Sequence, residues 1–117
     1  MPNPLCHFEF MTTDPEKCRA FYGKVFDWAF DDQSMQGYTL IQPGAEPNGG
    51  MMKRPEVAPR ACLTVYFSVT DLEATLKKVR DHGGKVLVEA TPIPNVGTYA
   101  IIADPENVVV GLLKPGG

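Results

Sequence analysis

The chain repeats itself. Residues 6–26, CHFEFMTTDPEKCRAFYGKVF, and residues 62–84, CLTVYFSVTDLEATLKKVRDHGG, follow one plan at an offset of 57 positions. Asp14 falls on Asp71, Phe8 on Val65, Phe10 on Phe67 and Tyr22 on Val79. An internal repeat decides a fold before any local reading does. A chain of 117 residues suits one domain. Half of it is too short for a good core of its own, so the two copies are expected to share one.

Each copy opens on an alternating stretch, which predicts a strand. Phe8 and Phe10 point one way, and His7, Glu9 and Met11 the other. Val65, Phe67 and Val69 alternate in the same manner with Thr64, Tyr66 and Ser68. A helix follows each strand. Asp14 can cap the free amides of the first turn, and Pro15 has no amide to leave unpaired. Cys18, Phe21, Tyr22, Val25 and Phe26 form one apolar stripe, expected to pack on the sheet. Leu72, Leu76 and Val79 do the same in the second helix, which ends at Gly83-Gly84 with a left-handed cap.

The remaining elements follow from turn chemistry. Strands are expected at 28–32, 38–42 and 49–53 in the first copy, and at 85–90, 98–103 and 108–114 in the second. The paired glycines Gly49-Gly50 point to a close approach or a bulge. Turns are expected at 43–48, 91–95 and 104–107. Module one is read as about 5–54, a proline-bearing linker as about 55–60 and module two as about 61–114, all within a single domain 1–117. Each module is strand, helix, strand, strand, strand.

Composition excludes several classes. The net charge is −3, and no basic patch or Lys/Arg run appears. That argues against nucleic acid and anionic membrane as partners. No apolar run is long enough for a transmembrane helix, and the first ten residues lack the pattern of a signal peptide. Three cysteines without a CxxC pair fit a reducing cytoplasm, with Cys6 and Cys18 packed as small hydrophobes.

The order of short words along the chain resembles the vicinal oxygen chelate superfamily of glyoxalases, bleomycin-resistance proteins and extradiol dioxygenases. It looks closest to the glyoxalase-like branch related to lactoylglutathione lyase. The matching residues are His7, Asp14-Pro15, Phe21-Tyr22, Val25-Phe26-Asp27-Trp28, Gly49-Gly50-Met51 and Asp71-Leu72. Gly83-Gly84, Thr91-Pro92-Ile93-Pro94, Gly97-Thr98-Tyr99, Asp104-Pro105-Glu106-Asn107 and Gly111-Leu112 complete the match. The resemblance implies an α+β fold, in which two βαβββ modules form a curved, partly open mixed-sheet cup. It also implies a homodimer.

Metal-dependent members of such a family take ligands from the first and last strands of each copy. A divalent ion there needs three or four N or O ligands. The positions that the resemblance singles out here are His7, Thr64, Met51 or Met52, and Gly111. One strong ligand in four argues for no metal and no cofactor. His7 and Glu9 lie two apart on a strand, so both face the cup and form a candidate acid–base pair. Glu9 is expected to favour the charged form of His7. Met11, Tyr38, Met51, Thr64, Tyr66, Tyr99 and Gly111 are read as lining a mostly apolar ligand pocket. The leading expectation is therefore a cytoplasmic, metal-independent binder of an unknown small molecule. The alternative is a lyase, isomerase or dioxygenase related to lactoylglutathione lyase, using a metal or the His7–Glu9 pair.

Overall fold

The computed structural model describes residues 3–54 and 61–116. The expected linker at 55–60 lies outside them. The fold is α+β, and the βαβββ plan occurs twice. The first copy runs β1 (Leu5–Thr12), α1 (Pro15–Val25), β2 (Ala29–Met35), β3 (Tyr38–Gln42) and β4 (Gly49–Lys53). The second runs β5 (Cys62–Ser68), α2 (Leu72–Asp81), β6 (Lys85–Ile93), β7 (Gly97–Ala103) and β8 (Val109–Pro115).

The chain forms two compact units, His7–Thr64, and Met1–Cys6 together with Val65–Gly117. The boundary differs from the plain halving of the repeat. Asn3 Nδ2 donates to the Ser68 carbonyl at 2.9 Å, and the Ser68 amide donates to the Pro4 carbonyl at 2.8 Å. These bonds tie the opening residues to the second copy.

In the first unit the strand order is β2-β3-β4-β1, with β1 parallel to β4 and the other neighbours antiparallel. In the second it is β5-β8-β7-β6, again with one parallel pair, β5 with β8. The helix between the first two strands of each copy makes this order possible, because parallel neighbours need a crossover.

Both helices start as their sequences dictate. Asp14 accepts from the Lys17 amide at 3.1 Å, and Asp71 from the Ala74 amide at 3.1 Å. Gly83 has φ of 90°, and the Gly84 amide closes on the Val79 carbonyl at 2.8 Å. Leu72 and Leu76 of α2 are buried with Val69, Ala100 and Leu112, and Phe67, Val86 and Ile102 pack against them. This is the core of the second unit.

The stripe on α1 behaves differently from the expectation. No residue of α1 is buried. Tyr22 packs its ring on Phe10 at 4.9 Å and lies parallel to Trp28 at 5.5 Å and 14°. Phe21 and Val25, however, remain 58% and 53% exposed. The cause is geometric. Tyr22 is the residue of the stripe that reaches Phe10 and Trp28, whereas Phe21, one position round the helix, meets only the edge of Tyr22 at 5.0 Å among the ring contacts described. Several strand ends also move, and β2 runs on past Asp32 to Met35. Trp28 precedes β2, and β6 continues to Ile93, where Thr91 pairs with Tyr99 and Ile93 with Gly97.

Candidate functional site

The register sorts the side chains of the first unit into two faces, because neighbours across a ladder share a side. Phe10 pairs with Met51, and Phe10 touches Tyr22 of α1, so Met51 belongs to the helix face. It is 1% exposed. Glu9 pairs with Gly50, and Gly50 with Leu40. By alternation His7, Glu9, Met11, Tyr38, Leu40, Gly50 and Met52 share the face turned away from α1. Met51, read from sequence as a pocket residue, is thus separated from His7 and Glu9, and Gly50 and Met52 stand in its place.

Gly50 explains how Tyr38 reaches this cluster. A Cβ at position 50 would overlap the Tyr38 ring and its hydroxyl. The tyrosine therefore lies across the glycine, on the diagonal from its strand neighbour Leu40. Gly49 makes the matching approach on the other face, beneath the ring of Phe8. The paired glycines mark two aromatic crossings and no bulge.

Lying there, the Tyr38 hydroxyl joins the two residues of the candidate acid–base pair. It donates to Glu9 Oε1 at 2.8 Å, and it lies 2.8 Å from His7 Nε2. The His7 and Tyr38 rings lie nearly parallel, 6.4 Å apart at 19°. Glu9 is buried, at 7% exposure. Burial pushes the proton affinity of His7 below its ordinary value of 6.5. The expectation from sequence was the reverse, a carboxylate favouring the charged ring. Desolvation dominates, since taking an imidazolium out of water costs more than a carboxylate one phenol away returns.

Of the other sites read from sequence, Thr64 is buried and its residue closes the first unit. Tyr66, Gly111 and Tyr99 belong to the second. Tyr66 pairs with Gly111, Gly111 with Ile101, and Tyr99 with Leu113. Tyr66, Tyr99 and Gly111 therefore share the face turned away from α2. A Cβ at position 111 would overlap the Tyr66 ring. The structure thus brings His7, Glu9, Met11 and Tyr38 together in one unit, and Tyr66, Tyr99 and Gly111 in the other.

The donors among the described residues do not fit a divalent metal. Among the described residues no group of three His, Cys, Asp or Glu side chains comes together. Gly111 offers no side chain, and Tyr66 fills the space where one would extend. Sequence reasoning missed Gly50 and the bridging role of Tyr38. The signal was present in the Gly49-Gly50 pair, but the partner ring depends on a register between strands that sequence leaves open.

Fold, repeat and site together define a class. The family model for the Glyoxalase/Bleomycin resistance protein/Dioxygenase superfamily matches residues 5–112, and the chain belongs to that superfamily. Among curated relatives it is 33% identical over 110 residues to CFP32 of Mycobacterium bovis, which is named after the glyoxylases. That match covers 92% of this chain and 42% of the relative, so the chain spans well under half its length. A glyoxylase-like domain-containing protein of Didymella fabae is 31% identical over 119 residues, covering 92% and 91% of the two chains. Among solved structures, methylmalonyl-CoA epimerase from Mycobacterium tuberculosis superposes with a TM-score of 0.74 at 17% identity. The match covers 97% of this chain and 88% of the epimerase.

Proposed function

We propose that this protein binds a small molecule without a metal, on the face of the first unit that carries His7, Glu9 and Tyr38. What supports this reading most is the way tyrosine rings fill the space beside Gly50 and Gly111. A ligand-bearing side chain at either glycine would have to displace a ring. Around the polar chain stand Met11, Leu40 and Met52, all half-buried. A few placed polar groups among apolar ones is the make-up of a small-molecule site. Within the second unit, Tyr66 and Tyr99 share one face and are read as ligand contacts of that unit. This reading also takes the protein to be a homodimer, with the exposed Phe21–Val25 row of α1 as surface that a second copy covers.

A second reading is carried by one observation, the hydroxyl bridge from His7 through Tyr38 to Glu9. It makes the protein a metal-free lyase or isomerase that moves a proton beside a carbonyl. One preparation tests the metal-free basis of both readings. Protein purified without chelator or affinity metal is expected to carry far less than one equivalent of zinc, nickel or iron. Near one equivalent, lost in His7→Ala, overturns both. Native mass spectrometry of the same preparation reads any bound organic molecule and the mass of the assembly.

A further inference from the structure

The internal repeat supplies a control for α1. At the offset of 57 positions Phe21 falls on Lys78 and Val25 on His82. Both of those are exposed on α2. The second module thus shows that the fold needs no apolar side chain at these two helix places. In the first module both places hold one, and both are left in water. The packing of the chain on itself does not account for that row.

The border of the row is basic. Lys17 lies one turn before Phe21 and Lys24 one turn after it. Both are exposed, and among the described residues neither makes an ion pair. Two such rows laid on each other would bring four lysines together, so the row is a poor partner for itself. Its complement is apolar side chains beside a carboxylate. Outside α1 and its C-cap, the chain exposes that combination in the turn between β7 and β8. Val108 and Val109 are 56% and 43% exposed. Glu106, just before them, is exposed and makes no ion pair among the described residues. The remaining exposed apolar side chains lack a free carboxylate. Leu5, Leu63 and Val96 have no acidic residue within two positions, and Glu89, next to Val88, is held by Arg80. The turn is also preformed. The Asp104 carboxylate accepts from the Glu106 and Val108 amides, each at 2.9 Å. The Asp104 amide donates to the Val108 carbonyl at 2.9 Å. Docking such a turn costs little further ordering.

We propose that Phe21 and Val25 of one subunit receive the Glu106–Val109 turn of a second copy of this chain, with Glu106 against Lys17 and Lys24. This rests on the homodimer reading and names the surfaces that make it. Made in both directions about a twofold axis, the contact closes a dimer. The dimer is weak. The exposed part of one Phe is on the order of 100 Å², whereas a standard interface covers about 800 Å² per partner. The row is therefore the centre of a small interface, and added salt loosens it through the lysine–carboxylate pairs at its rim.

Sedimentation equilibrium over a dilution series tests the contact. The wild-type protein is expected as a mixture of monomer and dimer. Phe21→Lys gives α1 the residue that α2 already carries at that place, so the helix tolerates it. It is expected to raise the dimer dissociation constant about tenfold or more. Glu106→Lys, and Lys17→Glu with Lys24→Glu, are each expected to weaken the dimer as well. All three charge reversals together should bring back most of the affinity. A zero-length carbodiimide, applied to mixed isotope-labelled and unlabelled subunits, should couple Lys17 or Lys24 to Glu106 in peptide pairs of mixed isotope.

A dimer indifferent to Phe21→Lys overturns the contact and leaves the homodimer standing. So does one that each charge reversal weakens without recovery in the combination. Wild-type protein that is monomeric at every concentration overturns both. Monomeric protein that sediments with phosphatidylserine vesicles, and no longer does so after Phe21→Ala, gives the row to a lipid surface and overturns the second copy as its occupant.

Discussion

Glu9 and Tyr66 hold equivalent places in the two copies. They are 57 positions apart, and each faces a glycine across a parallel strand pair, Gly50 for Glu9 and Gly111 for Tyr66. The tenants of those glycines differ. Tyr38 arrives over Gly50 from β3, two residues from the strand neighbour of the glycine, whereas Tyr66 lies over Gly111 from directly opposite. One copy thereby keeps a carboxylate opposite its glycine and a phenol across it, and the other keeps its phenol directly opposite the glycine.

Alanine at either glycine should destabilise the protein, by about 1–3 kcal/mol for an overpacked site. Gly111→Ala is expected to cost more. Tyr66 is buried and has nowhere to go, while Tyr38 is half-buried and can swing outward. Urea unfolding of the two variants gives the order. Gly50→Ala should also carry off the His7–Glu9 bridge, visible as a changed His7 titration.

The depressed proton affinity of His7 fixes the direction of a pH effect. Above its ordinary value of 6.5 the ring is neutral both folded and unfolded, and contributes nothing. As pH falls through 6.5 the unfolded chain takes up a proton that the folded one refuses, so stability falls. The loss stops growing once pH passes below the folded value. Urea midpoints measured from about pH 8 to about pH 5 should therefore decline over the lower half of the range. His7→Gln should flatten that decline.

The two helix caps are a matched pair, and their removal should be too. Asp14→Ala and Asp71→Ala are each expected to cost about 1 kcal/mol, the ordinary worth of such a cap. Thermal melts of the single and double variants check this, and the costs should add. Asn in place of either Asp should recover most of the loss.

Thiol labelling should single out one cysteine. Cys62 is exposed, while Cys6 and Cys18 are half-buried. Burial pushes both of the latter thiols above their ordinary value of 9.0, which leaves less thiolate at neutral pH. Iodoacetamide at neutral pH should modify Cys62 first, as peptide mass mapping would show. Equal rates at all three positions would contradict this.

The fold was legible in the chain because its signals are local and repeated. Alternation at Phe8–Phe10 and Val65–Phe67, and capping at Asp14 and Asp71, need no knowledge of distant partners. The face of a residue on a first strand was legible for the same reason, and His7, Glu9 and Tyr66 follow their parity. What stayed hidden depended on register. Met51 and Gly50 are neighbours in sequence and differ only in side, and a shift of one residue exchanges them. Which ring crosses Gly50 is settled by the pairing of Leu40 with it, which no spacing in the sequence states. The exposed row of α1 was hidden for another reason. An apolar stripe says that a helix has something to cover, but not how much of its width the sheet reaches.

The Tyr66–Gly111 contact also limits which changes selection can make one at a time. Glu at position 111 alone would drive a carboxylate into the ring above it. Trimming Tyr66 alone would empty a buried space and gain nothing in return. Only the two together give a side chain at 111 room to extend, and each intermediate is less stable than its parent. A descendant gaining a ligand at that strand must therefore cross a valley of two coupled substitutions, whereas loss of such a ligand, once the ring has moved in, is held in place by packing alone.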